Sequence, residues 1–142
     1  MMDLMRPDDL KKISNEAEMA KAQEYIRRAR KQEEEQAALR EAFMSREIGP
    51  EAYERVNAAV CRAAEQGSHQ VQIITFPASY CNDGGRRINN SEPDWPNSLE
   101  GFAKKAYEFY EKELKSLGYR AHVEIIDYPG GMPGSVGMFL KW

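Results

Sequence analysis

Two cysteines and two histidines are all that the 142 residues carry of thiol and imidazole groups, the softer metal ligands. Two cysteines make no disulfide framework. Without a CxxC pair or paired histidines, a zinc site has nothing to start from. No apolar run approaches the roughly 18 residues of a membrane span, and the first ten residues hold Asp3, Asp8 and Asp9 in place of an apolar signal core. The expected setting is therefore the cytoplasm, without membrane. A basic excess is missing too: the formal net charge is −3, which speaks against a nonspecific nucleic-acid binder. Asn89-Asn90-Ser91 has the glycosylation pattern, but without a secretory signal it reads as chance.

What is present is polar and uneven. The chain is 42% hydrophobic and 30% charged, too apolar for full disorder, and its length suits one domain with a core. Most of the charge lies in the first third. Pro7 and Asp8 make a helix start. No Pro or Gly follows until Gly49, and Ala, Glu, Lys, Arg, Gln and Met dominate, so the spacing predicts one long helix over 8–47. Its apolar residues (Leu10, Ile13, Ala17, Ala20; Ala22, Ile26, Ala29; Leu39, Phe43) form a thin stripe that shifts phase. Such a helix is marginal alone and needs something to pack on. A basic block, Lys21, Arg27, Arg28, Arg30 and Lys31, precedes Glu33, Glu34 and Glu35. These charges suit a solvated face with i,i+4 pairs. They also suit a contact with a protein partner or a second copy in antiparallel register. Binding of nucleic acid through Arg27, Arg28 and Arg30 is opposed by the adjacent acidic block.

Beyond Gly49-Pro50 the pattern changes. A helix over 51–66 buries Val56, Ala59, Val60, Ala63 and Ala64, and Gly67 caps it. HQVQIITF (69–76) alternates as a strand, with Val71, Ile73 and Thr75 on one face and Ile74 and Phe76 on the other. A helix over 98–117 follows, with Phe102, Ala106, Phe109, Tyr110, Leu114 and Leu117 in register. Strands over 119–128 and 136–142 flank the turn PGGMPG. The expected fold is α+β in the order α-α-β-α-β-β. Residues 1–48 form a charged helical arm and 49–142 a compact domain. Its three-stranded mixed sheet carries helices on one face, the first two strands lying side by side and parallel through a helical crossover.

From about residue 51 onward, the chain resembles a pattern found in many small uncharacterised α+β proteins of bacteria and their phages. The residues that carry it are Ala63-Ala64-Glu65-Gln66-Gly67 before a strand, Leu114-Lys115-Ser116-Leu117-Gly118-Tyr119 between helix and strand, and a closing strand that ends at Trp142. The resemblance covers roughly two-thirds of the chain. It implies the element order and no activity, cofactor or functional residue.

Any site is expected in the long loop PASYCNDGGRRINNSEPDWPN (77–97) and the turn at 129–134. A loop near 20 residues is unusual in a compact domain, and both segments leave C-terminal ends of strands, the edge that ligands of open α/β sheets favour. The candidates are Cys81, Asp83, Gly84, Gly85, Arg86, Arg87, Asn89, Asn90, Glu92, Asp94, Trp95 and Asp127. Gly84-Gly85 with Arg86 and Arg87 suit an anion, a metabolite or nucleotide, unless Asp83, Glu92 and Asp94 neutralise the arginines. Asp83, Glu92, Asp94 and Asp127 are hard oxygen ligands, but their spacing matches no EF-hand. Cys81 as a nucleophile needs a base, and the strand reading puts both histidines more than ~15 Å away. The remaining reading is a packed Ω-loop, anchored by Ile88 and Trp95, that satisfies its own polar groups. With no catalytic fingerprint and no cofactor motif, the sequence points to an intracellular interaction or regulatory protein rather than an enzyme. A small-ligand protein using the loop edge is the alternative.

Overall fold

The computed structural model describes residues 3–142. Contacts divide the chain into two compact units, Met1–Glu41 and Ala42–Trp142.

The first unit is helix. α1 runs Pro7–Ser45, 39 residues, with Asp8 and Asp9 in its first turn and no buried residue. Leu10, Ile13, Met19, Tyr25, Ile26 and Leu39 are all exposed. Glu24 accepts hydrogen bonds from Arg27 at 2.6 Å and Arg28 at 3.0 Å. Such exposed pairs contribute only tenths of a kcal/mol each.

The second unit takes the last turn of α1, where Phe43 packs against Phe76, Tyr80 and Phe102 at ring distances of 5.4, 5.0 and 6.0 Å. α2 spans Ala52–Glu65, β1 Gln70–Pro77, a single turn α3 Arg86–Asn89, α4 Gly101–Phe109, β2 Arg120–Ile125 and β3 Ser135–Lys141. Class and element order are those expected, apart from the single turn α3 inside the segment read as a loop. α4 continues through a π turn at Tyr110–Leu114 and a 3₁₀ turn at Lys115–Leu117. The wider π turn breaks the 3.6-residue phase. Leu117, placed on the buried stripe by its spacing, is consequently 73% exposed.

The sheet corrects one expectation. Its order is β1-β3-β2, and β3 is antiparallel to both neighbours. β1 and β2 do run in the same direction, but they are not adjacent and the pairing is not mixed. The side chains explain who takes the middle. β3 presents Val136, Met138 and Leu140, all 0% exposed, and a central strand buries most. β1 carries a bulge and ends in Pro77, while β2 carries Arg120, His122 and Glu124 on one face. Those are devices of edge strands.

The bulge lies between Gln72 and Ile74 and corrects the alternation read for β1. Ile73 is the extra residue, so Val71, Ile74 and Phe76 share the inner face with Leu140, Met138 and Val136, their partners across the ladder. The α2 and α4 side chains cover that face. Ala103 and Ala106 join Phe76, Val123, Val136 and Met138 in one cluster. Val60, Tyr110 and Leu114 meet Leu140 in a second.

Candidate functional site

Direction, not adjacency, brings the two loops together. Pro77 and Ile125, the last residues of β1 and β2, oppose Ser135 and Val136 at the start of β3. The segment after β1 and the turn before β3 therefore share one end of the sheet. Ala78 N donates to Gly134 O at 2.8 Å, and the Tyr128 hydroxyl donates to Asn89 Oδ1 at 2.8 Å.

The long segment is not irregular. It holds 3₁₀ turns at Ala78–Tyr80 and Trp95–Ser98 around α3. Asp83 organises the centre: its carboxylate accepts from Gly85 N and Arg87 N, each at 3.0 Å, so it satisfies the free donors that open α3. Gly84 and Gly85 have φ +68° and +89°, and a Cβ on Gly85 would lie 3.1 Å from that of Ala78. The pair of glycines thus serves the turn itself.

The arginines are engaged within the loop. Arg87 Nε lies 3.1 Å from Asp94, and its guanidinium lies 3.5 Å from Asp83 and 3.4 Å from the Asn82 side-chain oxygen. Arg86 pairs with Glu92 at 3.2 Å. Asn82 in turn donates to Asn97 O and Glu100. Asn82, Asp83, Arg87 and Asp94 form one network; Arg86 and Glu92 form a separate pair. Asn90 is exposed, its backbone tied to Arg86 O. Asp127 accepts from Ser135 N at 2.6 Å and so closes its own turn. The hydrophobic anchors are in place: Ile88 is buried, and Trp95 stands edge-on to Tyr107 at 5.1 Å.

Burial works against the charged form of Asp83. The backbone N–H groups of Arg87 and Gly85, followed by the two arginine charges, outweigh it and hold its carboxyl below the ordinary aspartate value. Cys81 is the opposite case. Burial, then the charge of Asp83, pushes its thiol up to about 11, and only a hydrogen bond with Ser98 opposes them. It is a protonated, 5% exposed core side chain, not a thiolate nucleophile. With Cys61 exposed and both thiols free, a thiol reagent is expected to titrate one cysteine per chain quickly. The second should react only on unfolding, and two fast thiols would show that the loop opens. Among the described residues, no three His, Cys, Asp or Glu side chains converge as a metal-ligand set.

The sequence held no signal for a second feature. A cavity of about 370 Å³ lies between Phe43, Ile48, Val56, Ile73, Phe102 and Leu114, with Arg46, Glu47, Glu51 and Arg55 also lining it. It forms where the bulged strand, α2, α4 and the last turn of α1 meet. The Arg46 guanidinium carbon sits over the Phe102 ring, 4.2 Å from its centroid. Searches against known protein families, curated proteins and solved structures find no match to this chain.

Proposed function

We propose that this chain is a small intracellular interaction protein without catalytic activity. It associates with a second copy through its helical arm and offers the loop end of the sheet as a further contact surface. The observation that supports this reading is a helix of 39 residues with none buried. A helix that polar draws little stability from propensity alone, and tertiary or quaternary contact supplies the rest. Leu10, Ile13, Met19, Ile26 and Leu39 are exposed and available for such a contact. A second copy suits the charge order. In an antiparallel pair, the block at residues 27–31 of one chain meets Glu33, Glu34 and Glu35 of the other.

Sedimentation equilibrium of the full chain tests it. The expected result is a reversible dimer. In the variant Ile26→Glu/Leu39→Glu the dissociation constant should rise at least about tenfold, equivalent to ~1.4 kcal/mol, while the melting of the α+β unit stays unchanged. A strict monomer at every concentration would sink the proposal. A small-ligand role for the 77–97 and 129–134 loops finds less support, because Arg86 and Arg87 are already ion-paired. A thermal-shift screen against nucleotides and phosphorylated metabolites separates the two, since a ligand of the folded state raises the melting temperature.

A further inference from the structure

The sheet's second face carries a different chemistry from its core face. Cross-strand partners place Gln70, Lys141 and Arg120 in one row and Gln72, Phe139 and His122 in the next. The third row holds Thr75, Gly137 and Glu124. All lie opposite the buried Val136, Met138 and Leu140, on the side away from α2 and α4.

Two features of these rows need an explanation. Arg120 and Lys141 face each other directly across adjacent strands. Like charges in that position are destabilising, and among the described residues no acidic side chain pairs with either. They border a hollow of about 420 Å³ with Ser68, His69, Gln70 and Trp142, at the opposite end of the sheet from the loops. One row away, Phe139 stands half-buried on the central strand beside His122, ring centroids 6.0 Å apart. Its ring is held over Gly137, where a Cβ would come within 2.9 Å of it.

We infer that this face binds a segment of single-stranded nucleic acid, with a phosphate between Arg120 and Lys141 and a base stacked on Phe139. Successive rows on one face are two residues apart, roughly 7 Å along the strand, comparable to the reach from a phosphate to a base. Gln72, flanking Phe139, offers an amide to the base edge. An aromatic platform beside a cationic strip is how sheets take single strands, because every base has a stacking face. The surface is open rather than enclosed, which suits a continuing strand better than a free mononucleotide. Glu124, paired with His122 at 3.4 Å, bounds the cationic strip on one side. The net charge of −3 excludes a binder driven by bulk electrostatics, so the contact is local and its salt dependence shallow.

Fluorescence anisotropy of the full chain with a short labelled single strand tests this. We expect a dissociation constant of roughly 10⁻⁴ M or tighter near 50 mM salt. The log–log salt slope should be near about −0.7, the value for the one phosphate held between the two cations. Phe139→Leu should weaken binding roughly tenfold or more. Arg120→Gln/Lys141→Gln, at solvent-facing positions, should flatten the slope toward zero, and this arm stands even if Phe139→Leu fails to fold. Absence of binding, equal binding of the duplex, equal binding of inorganic polyphosphate, or a slope unchanged in the double variant would each overturn the inference.

Discussion

Replacing Gly101 with alanine should destabilise the α+β unit by about 3 kcal/mol and lower its melting temperature by roughly 14 °C. Gly101 opens α4 at φ +57°, and an added Cβ would lie 2.6 Å from Met44 Cα, 2.8 Å from Met44 Sδ and 3.1 Å from Phe43 O. A left-handed alanine costs about 1–2 kcal/mol by itself. The overlap adds about 1–3 kcal/mol more, because two of the three close atoms are backbone. Relief would push the last turn of α1 off α4 and disturb the Phe43 aromatic cluster. Gly84→Ala is the matched control: φ is +68° and nothing lies within 4 Å of the new methyl, so it should show the conformational cost alone. Urea unfolding would give the comparison, with the midpoint falling further in Gly101→Ala and the slope unchanged. Equal losses in the two variants would show that α1 and α4 do not approach as closely as described.

Asp83→Ala carries the second large effect, about 2 kcal/mol, focused on the 77–97 segment. The carboxylate, 12% exposed, satisfies two backbone donors at 3.0 Å, and loss of such a cap costs up to about 2 kcal/mol. It also leaves Arg87 with Asp94 and the Asn82 side-chain oxygen. The pH dependence follows from the lowered carboxyl. A group whose folded value lies below its unfolded value stabilises above the unfolded value, near 3.9 for aspartate. That contribution is lost as pH falls through the folded value. The stability difference between parent and Asp83→Ala should therefore be constant above about pH 5 and shrink below about pH 4. Amide exchange in residues 84–92 should accelerate in the variant while the β3 amides stay protected. A pH-independent difference would remove the carboxylate from the account.

The loop's self-sufficiency was half legible in its composition. Asp83, Glu92 and Asp94 stand within reach of Arg86 and Arg87 along the chain, so internal pairing was one of the readings open from the start. Which acid takes which base was not legible. Asp94 reaches Arg87 only because the turn at Trp95 docks on Tyr107, twelve residues further on. Asp127 shows the converse. Its candidacy rested on sheet geometry, and that geometry does bring its turn beside the loop. Its own side chain nevertheless serves Ser135 N, a bond across its own turn.

The face read for Ile73 failed for a related reason. Alternation by twos assumes an unbroken ladder, and a bulge inserts its extra residue without any mark in a run such as QVQIITF. Leu117 left its stripe through the same kind of phase slip, in a helix.

Local chemistry was enough for the class, the order of elements and the ends of most of them, because caps, prolines and periodicity act over a few residues. The same local chemistry set the long arm, since nothing between Pro7 and Gly49 breaks a helix. Only the tertiary structure decided that β3 lies between β1 and β2, because three strands compete for the buried centre and the most apolar inner face wins. That choice aligned Arg120 with Lys141 and Phe139 with His122, residues about 20 positions apart whose pairing depends on register. It also opened the cavity beside Phe43, whose walls come from four elements that meet only when the core closes.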